Sequence, residues 1–269
     1  MSLQLRKYYS LHVGKESYLC LGMKVHGQQA ERVLETEYLG DIVRADGRNS
    51  SNIKSRVGKG IGLISEIMSI LKCVSFGSHY FEITKVLREA RLINGILTNA
   101  EIWYSLGNSE IESLEKIDRT FLRQVFSVPQ SISTESLYLE LGVIPIKIIL
   151  MSRRISYLHY LARLEKSEML YKVFLAQWKY PVKGDWTMEV RQNMREFGII
   201  MTLDELRSKS KLSFKRLLKQ KTKEYAFEKL LEAKGKHSKM SNLKYNELRT
   251  QNYLKLKCGK FGDRTPHHY

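Results

Sequence analysis

Cysteine, proline and long apolar runs are all scarce in this chain, and each scarcity excludes something. Its three cysteines, Cys20, Cys73 and Cys258, are far apart and form no Cys-x-x-Cys, so neither a disulfide framework nor a zinc ribbon has ligands at the needed spacing. Free thiols in a reducing compartment are the reading, which makes the protein intracellular, nuclear or cytoplasmic. Four prolines in 269 residues leave long stretches open to helix. No apolar run reaches the length of a signal peptide or a membrane span, so no membrane partner is expected. Acidic side chains are few as well, and no Asp-x-Asp or Asp-Asp pair occurs to hold two catalytic metals. Asp41 and Asp46, five apart, read as turn formers rather than a shared cation site.

What the chain has is positive charge. Lys and Arg number 45 against 28 Asp and Glu, a net +17 that points to a polyanionic partner, nucleic acid first. The excess is concentrated late: 24 basic against 18 acidic in residues 1–180, then 21 against 10 in residues 181–269.

The stretch from Glu37 to Val74 organises the rest. Tyr38, Leu39, Ile42 and Val43 read as one strand with Gly40 at a bulge or close approach, and Asp46-Gly47 as the turn that ends it. Ser50 and Ser51 can then cap a helix whose apolar stripe is Ile53, Val57, Ile61, Ile64, Met68 and Leu71. Lys54, Arg56 and Lys59 lie off that stripe and are expected to face solvent or a ligand. Gly58, Gly60 and Gly62 fall inside this helix and read as small residues that let a neighbour approach, not as a phosphate loop. Ahead of it, residues 1–12 read as the end of an amphipathic helix and Tyr18 to Met23 as a short strand.

Downstream the pattern is helical. Predicted helices run from Tyr80 to Tyr104, from a Ser109/Glu112 capping box to before Pro129, from Thr134 to Leu141, and from Pro145 through Leu164. Ser167 is read as the cap of another that reaches Trp178. Pro181, Gly184 and Asp185 mark a boundary, after which Thr187 and Thr202 look like N-caps. The run Arg207 to Lys223 then holds eight basic residues and no acidic one. A short helix is expected near Asn246 to Leu256. His159 reads as a packed helix residue rather than a base.

Two basic features qualify as phosphate binders, because guanidinium and ammonium groups match phosphate oxygens by charge and hydrogen bonding. One is Arg153-Arg154, with Tyr157 and Tyr160 nearby. The other is the late run, with Lys209, Lys211, Lys215, Arg216, Lys219, Lys221 and Lys223. Interleaved Tyr and Phe offer stacking surfaces for bases.

The order of motifs resembles the C-terminal part of a non-LTR (LINE-type) retrotransposon reverse transcriptase. The residues that carry the resemblance are Gly14-Lys15-Glu16, Tyr38-Leu39-Gly40, Asp46-Gly47, Ile53-x-x-Arg56, Lys85 ahead of Glu101-Ile102-Trp103, and Arg153-Arg154 before Leu158-His159. Residues 227–255, with His237, Tyr245 and Tyr253, resemble an extension seen in some members. Ala100 and Tyr104 depart from the family pattern, and its downstream cysteine–histidine motif is missing.

The resemblance implies a mainly α chain: a small α/β palm remnant over 1–47, a helical thumb over 48–180, and a basic helical connector over 181–269 with a poorly ordered tail. Lys15 would be a palm lysine and Tyr38, Leu39 and Gly40 the primer grip. The partner would be a template–primer duplex of RNA and DNA, held by its backbone. The fingers and the palm strand with the metal-binding aspartates would precede this chain, so it would carry no cofactor of its own, Mg2+ belonging to the full-length parent, and would not polymerise alone. The alternatives are a free-standing basic helical RNA- or DNA-binding protein and a domesticated interaction protein.

Overall fold

The computed structural model describes residues 9–10, 24–25, 28–29, 31–38, 40–74, 79–235 and 244–255. Among these the protein is mainly helical with a small β part. Lys15, Leu39 and the strand expected at Tyr18 to Met23 lie outside the described residues.

The β part is three two-stranded pairs. β1 (Tyr9–Ser10) runs parallel to β4 (Glu31–Arg32), and β2 (Lys24–Val25) antiparallel to β3 (Gln28–Gln29). Tyr9 and Ser10 are therefore strand, not the end of a helix. β5 (Glu35–Tyr38) and β6 (Asp41–Arg44) form an antiparallel hairpin with Tyr38 opposite Asp41. The expected single strand is thus folded back on itself. Gly40 sits at φ +82°, where a side chain would be strained, and that freedom lets the chain reverse there. Asp46 does close the following turn: its carboxylate accepts the Arg48 amide at 3.0 Å and pairs with Arg44 at 2.9 Å.

Helix α1 (Ser50–Lys72) buries Asn52, Ile53, Arg56, Gly60, Ile64, Ile67 and Leu71. Its N-cap is Asn49, without a side-chain cap. Ser51 does not cap; its hydroxyl is taken by Arg44 and Glu35 of the hairpin. Ile61 is exposed and Ile67 is buried, because the face turned to the core is the row Ile53, Arg56, Gly60, Ile64, Ile67 and Leu71, which lies to one side of Val57, Ile61 and Met68 round the helix. Helix α4 (Asn108–Phe126) crosses α1 at Gly60, where an added Cβ would lie 2.8 Å from the Ile117 side chain; at Gly58 and Gly62 nothing lies within 4 Å.

The helix expected over Tyr80–Tyr104 is broken into pieces. α2 (Tyr80–Leu87) continues through a π-helical segment (Arg88–Ile93) into α3 (Asn94–Ile96). Asn99 then adopts φ +56°, a left-handed conformation that Asn tolerates better than most, and a 3-10 turn over Ala100–Ile102 leads to extended Trp103. The π segment aims Arg88 into the core. There its Nε and Nη2 donate to both carboxylate oxygens of Asp118 at 2.7 and 2.5 Å, Nη2 also reaches the Ile144 carbonyl, and the Tyr138 hydroxyl donates to Asp118 at 2.8 Å.

The remaining helices are α5 (Thr134–Leu141), α6 (Ile146–Ala162), α7 (Met169–Lys179), α8 (Trp186–Glu196), α9 (Leu203–Ser208), α10 (Lys211–Gly235) and α11 (Asn252–Lys255). Three N-termini are shifted from their expected caps. α4 starts after Gly107, whose amide the Glu110 carboxylate accepts, α7 after Glu168, and α8 after Asp185, whose side chain accepts the Thr187 amide. The Thr202/Glu205 capping box of α9 and the closure of α5 at Gly142, φ +68°, match the sequence reading.

α6 is the centre of the molecule. It touches α4, α7, α8, α9, α10 and the 3-10 turn. One hydrophobic core runs from Ile53 to Leu248, so helices on both sides of Pro181–Asp185 share it. No described helix is long and apolar enough to cross a membrane.

Candidate nucleic-acid interface

Helix α10 sorts its residues by rows four apart. Phe214, Leu218, Thr222, Ala226, Leu230 and Lys234 form the buried row. One position further on, Lys211, Lys215, Lys219 and Lys223 form an exposed row. Residues four apart lie about 6 Å apart along a helix, so this is an even line of ammonium groups. Among the described residues none of these four is in an ion pair, whereas Lys221 is paired with Glu224 at 2.9 Å.

The buried row holds α10 antiparallel on α6. Phe214 stacks on His159 with ring centroids 4.1 Å apart, and the Thr222 hydroxyl meets the Ser152 hydroxyl at 3.0 Å. His159 is buried against Phe214 with Nε2 3.0 Å from the Lys209 carbonyl, and burial depresses its pKa. It is a packed residue.

Between the lysine row and α6 runs a groove of about 520 Å³, lined by Lys215, Lys219 and Lys223 on one side and by Ile149, Ser152, Arg153 and Ser156 on the other. Small serines at two successive turns of α6 leave the space open. Arg153 is half-buried at the wall, with Nη1 donating to the Leu97 carbonyl at 2.6 Å and Nη2 to Asn94 at 2.5 Å. Burial lowers its pKa, partly offset by the charge of Glu101, and the guanidinium stays protonated. Glu89 is the acidic residue of the groove lining. Arg153 and Ser156 also line an adjoining hollow of about 340 Å³ with Glu101, Tyr157 and Tyr160.

The fold therefore brings Arg153 and the late lysines to one place, although 62 residues separate Arg153 from Lys215. It divides the other candidates. Arg154 is buried, paired with Glu189 of α8 at 2.9 Å and donating to the Trp103 carbonyl. Adjacent helical residues point about 100° apart, so both arginines cannot face one ligand. Arg56 is also withdrawn from solvent, at 5% exposure: its Nη2 donates to Asp41 and to the Gly40 carbonyl, each at 2.8 Å, which ties α1 to the hairpin. Lys54 and Lys59 are exposed as expected, Lys59 with its stem beside Gly95. Arg216 is exposed on α10 outside the groove lining, and Lys209 is partly buried where α9 ends. Tyr38 is 67% exposed at the hairpin tip, next to Gly40. Phe214, the aromatic residue of the basic run, is buried, and just beyond the run the Tyr225 hydroxyl is held by Glu196 at 2.8 Å.

The sequence reading missed Ser152 and Ser156. A pair of small polar residues four apart on an otherwise bulky helix face is their signal. Among the described residues no group of three or more His, Cys, Asp or Glu side chains could hold a metal ion. Asp41 is fully engaged by Asn52, Arg56 and Asn99, and Asp118 by Arg88 and Tyr138. No protein-family model, curated protein or solved structure matches this chain.

Proposed function

We propose that this chain is a nucleic-acid-holding helical unit of the reverse-transcriptase type, a thumb with its basic connector, that grips a template–primer duplex by its phosphate backbone. The observation that carries the backbone-binding part is the groove between α6 and α10, with Arg153 facing Lys215, Lys219 and Lys223. A line of unpaired ammonium groups beside a guanidinium attracts polyanions and reads no base sequence. The motif order from Tyr38 to His159 supports the polymerase part. Its test is the DNA upstream of Met1, where an in-frame strand of the Tyr-Ala-Asp-Asp type is expected.

The binding test is direct. Affinity for an RNA/DNA hybrid is measured by fluorescence anisotropy over a range of salt concentrations, for the protein and for a triple Lys215→Glu, Lys219→Glu, Lys223→Glu variant. The protein should bind with weak sequence preference, and the variant should bind more weakly with a salt slope flattened by roughly 2 to 3. A hybrid affinity that the triple variant leaves unchanged would remove the groove from the reading.

A further inference from the structure

The end of the groove carries a feature that duplex binding does not use. Tyr160 is 53% exposed, and its ring lies nearly parallel to that of Tyr157, 5.8 Å between centroids at 22°. Tyr157 is in turn fixed by the edge of Trp186, 5.7 Å away at 81°, and the Trp186 indole N–H donates to the Glu101 carbonyl at 2.7 Å. Tyr160 is thus backed by a stack that is already built, with one side left to solvent. It lies two turns along α6 from Arg153, about 10 Å away. The hollow it lines shares Arg153 and Ser156 with the lysine groove, so a strand leaving that groove reaches it without a gap.

We infer that Tyr160 is a stacking platform for an unpaired nucleotide, and that the groove and hollow together take a single strand running off the end of the duplex. Inside a duplex every base is already stacked on both faces, so away from the duplex ends an exposed tyrosine face can receive only a base that has left the helix. The groove supplies what such a strand needs: ammonium groups at regular intervals along one wall for successive phosphates, and an aromatic face at its end. Glu101 beside Tyr157 disfavours a phosphate in the hollow itself, which places the base there and its phosphates back toward Arg153 and Lys215. Phe214 is buried against His159 and the Tyr225 hydroxyl is held by Glu196, whereas Tyr160 is exposed and lines the hollow itself. The inference rests on the groove being a nucleic-acid interface.

The test compares three probes on the whole protein: a blunt RNA/DNA hybrid, the same hybrid with a four-nucleotide overhang, and the overhang strand alone. RNA and DNA overhangs are both measured. The overhang hybrid should bind more tightly than the blunt one. Tyr160→Ala should weaken overhang and single-strand binding by about five- to a hundred-fold while leaving the blunt hybrid unchanged, and Tyr160→Phe should restore it. Thermal melts of the two variants should coincide with that of the parent, as the ring is at the surface. If blunt and overhang hybrids bind equally, or if Tyr160→Ala weakens both alike, the platform is overturned while duplex binding stands. If no probe binds, the interface itself is overturned.

Discussion

Asp118→Ala would leave the Arg88 guanidinium in the core with the Ile144 carbonyl as its acceptor among these partners. Arg88 and Asp118 are both fully buried and joined by two hydrogen bonds, and Tyr138 donates to the same carboxylate. Breaking such a pair from one side costs about 3–5 kcal/mol, because an unpaired charge stays in a low-dielectric interior. Urea unfolding is the measurement, and Arg88→Met with Asp118→Leu should recover much of the loss. Asp41 offers a pH test. Burial pushes its carboxyl pKa up, but hydrogen bonds from Arg56, Asn99 and Asn52 outweigh this and hold it below the usual value. A folded pKa below the unfolded one, about 3.9, gives stabilisation that is complete above that pH and fades as pH falls through the folded value. Asp41→Asn should therefore destabilise the protein at neutral pH, with the gap between variant and parent narrowing in acid melts below about pH 4. Both carboxylates do structural jobs, and their partners lie 11 to 58 residues away for Asp41 and 20 to 30 for Asp118. No local pattern announces such partners.

Helix α1 shows what an element reveals in sequence and what it conceals. Its existence and its main stripe follow from periodicity, but the three glycines along it look alike until a neighbour is placed. An added Cβ at Gly60 would meet Ile117 at 2.8 Å and Ile96 at 3.1 Å, whereas Gly58 has open space. Gly58→Ala should raise stability by roughly 0.5–1 kcal/mol through a better helix propensity. Gly60→Ala should lower it by roughly 1–3 kcal/mol through overpacking of the α1–α4 crossing. Thermal melts of the pair read out the contrast, and equal effects would mean that the crossing is not at Gly60. The same limit explains the other shifts. α5 and the Thr202/Glu205 box were legible because their capping chemistry is local. The break at Asn99 and the reversal at Gly40 were not, because the tertiary partners that select them, Asp41 for Asn99 and α1 for the hairpin, are remote.

At the scale of the whole molecule, the groove exists because α10 is laid along α6. The sequence showed the two basic stretches and their charge; it did not show that they face each other, since that depends on the Phe214 and Thr222 seam. It also marked Pro181–Asp185 as a boundary, and the chain does loop there, yet the core passes through it without interruption. A shared core predicts a shared transition. Trp103, Trp178 and Trp186 report on the middle of the fold, and far-UV circular dichroism reports on all the helices, α10 included. Their urea midpoints should coincide. Phe214→Ala removes a side chain that is 2% exposed and should cost about 3–5 kcal/mol, moving both midpoints together although the residue belongs to the basic helix. Two separate transitions, or a Phe214→Ala effect confined to the helical signal, would show that residues 181–269 unfold as a unit of their own, and the lysine row would then have to find its partner without Arg153 held opposite.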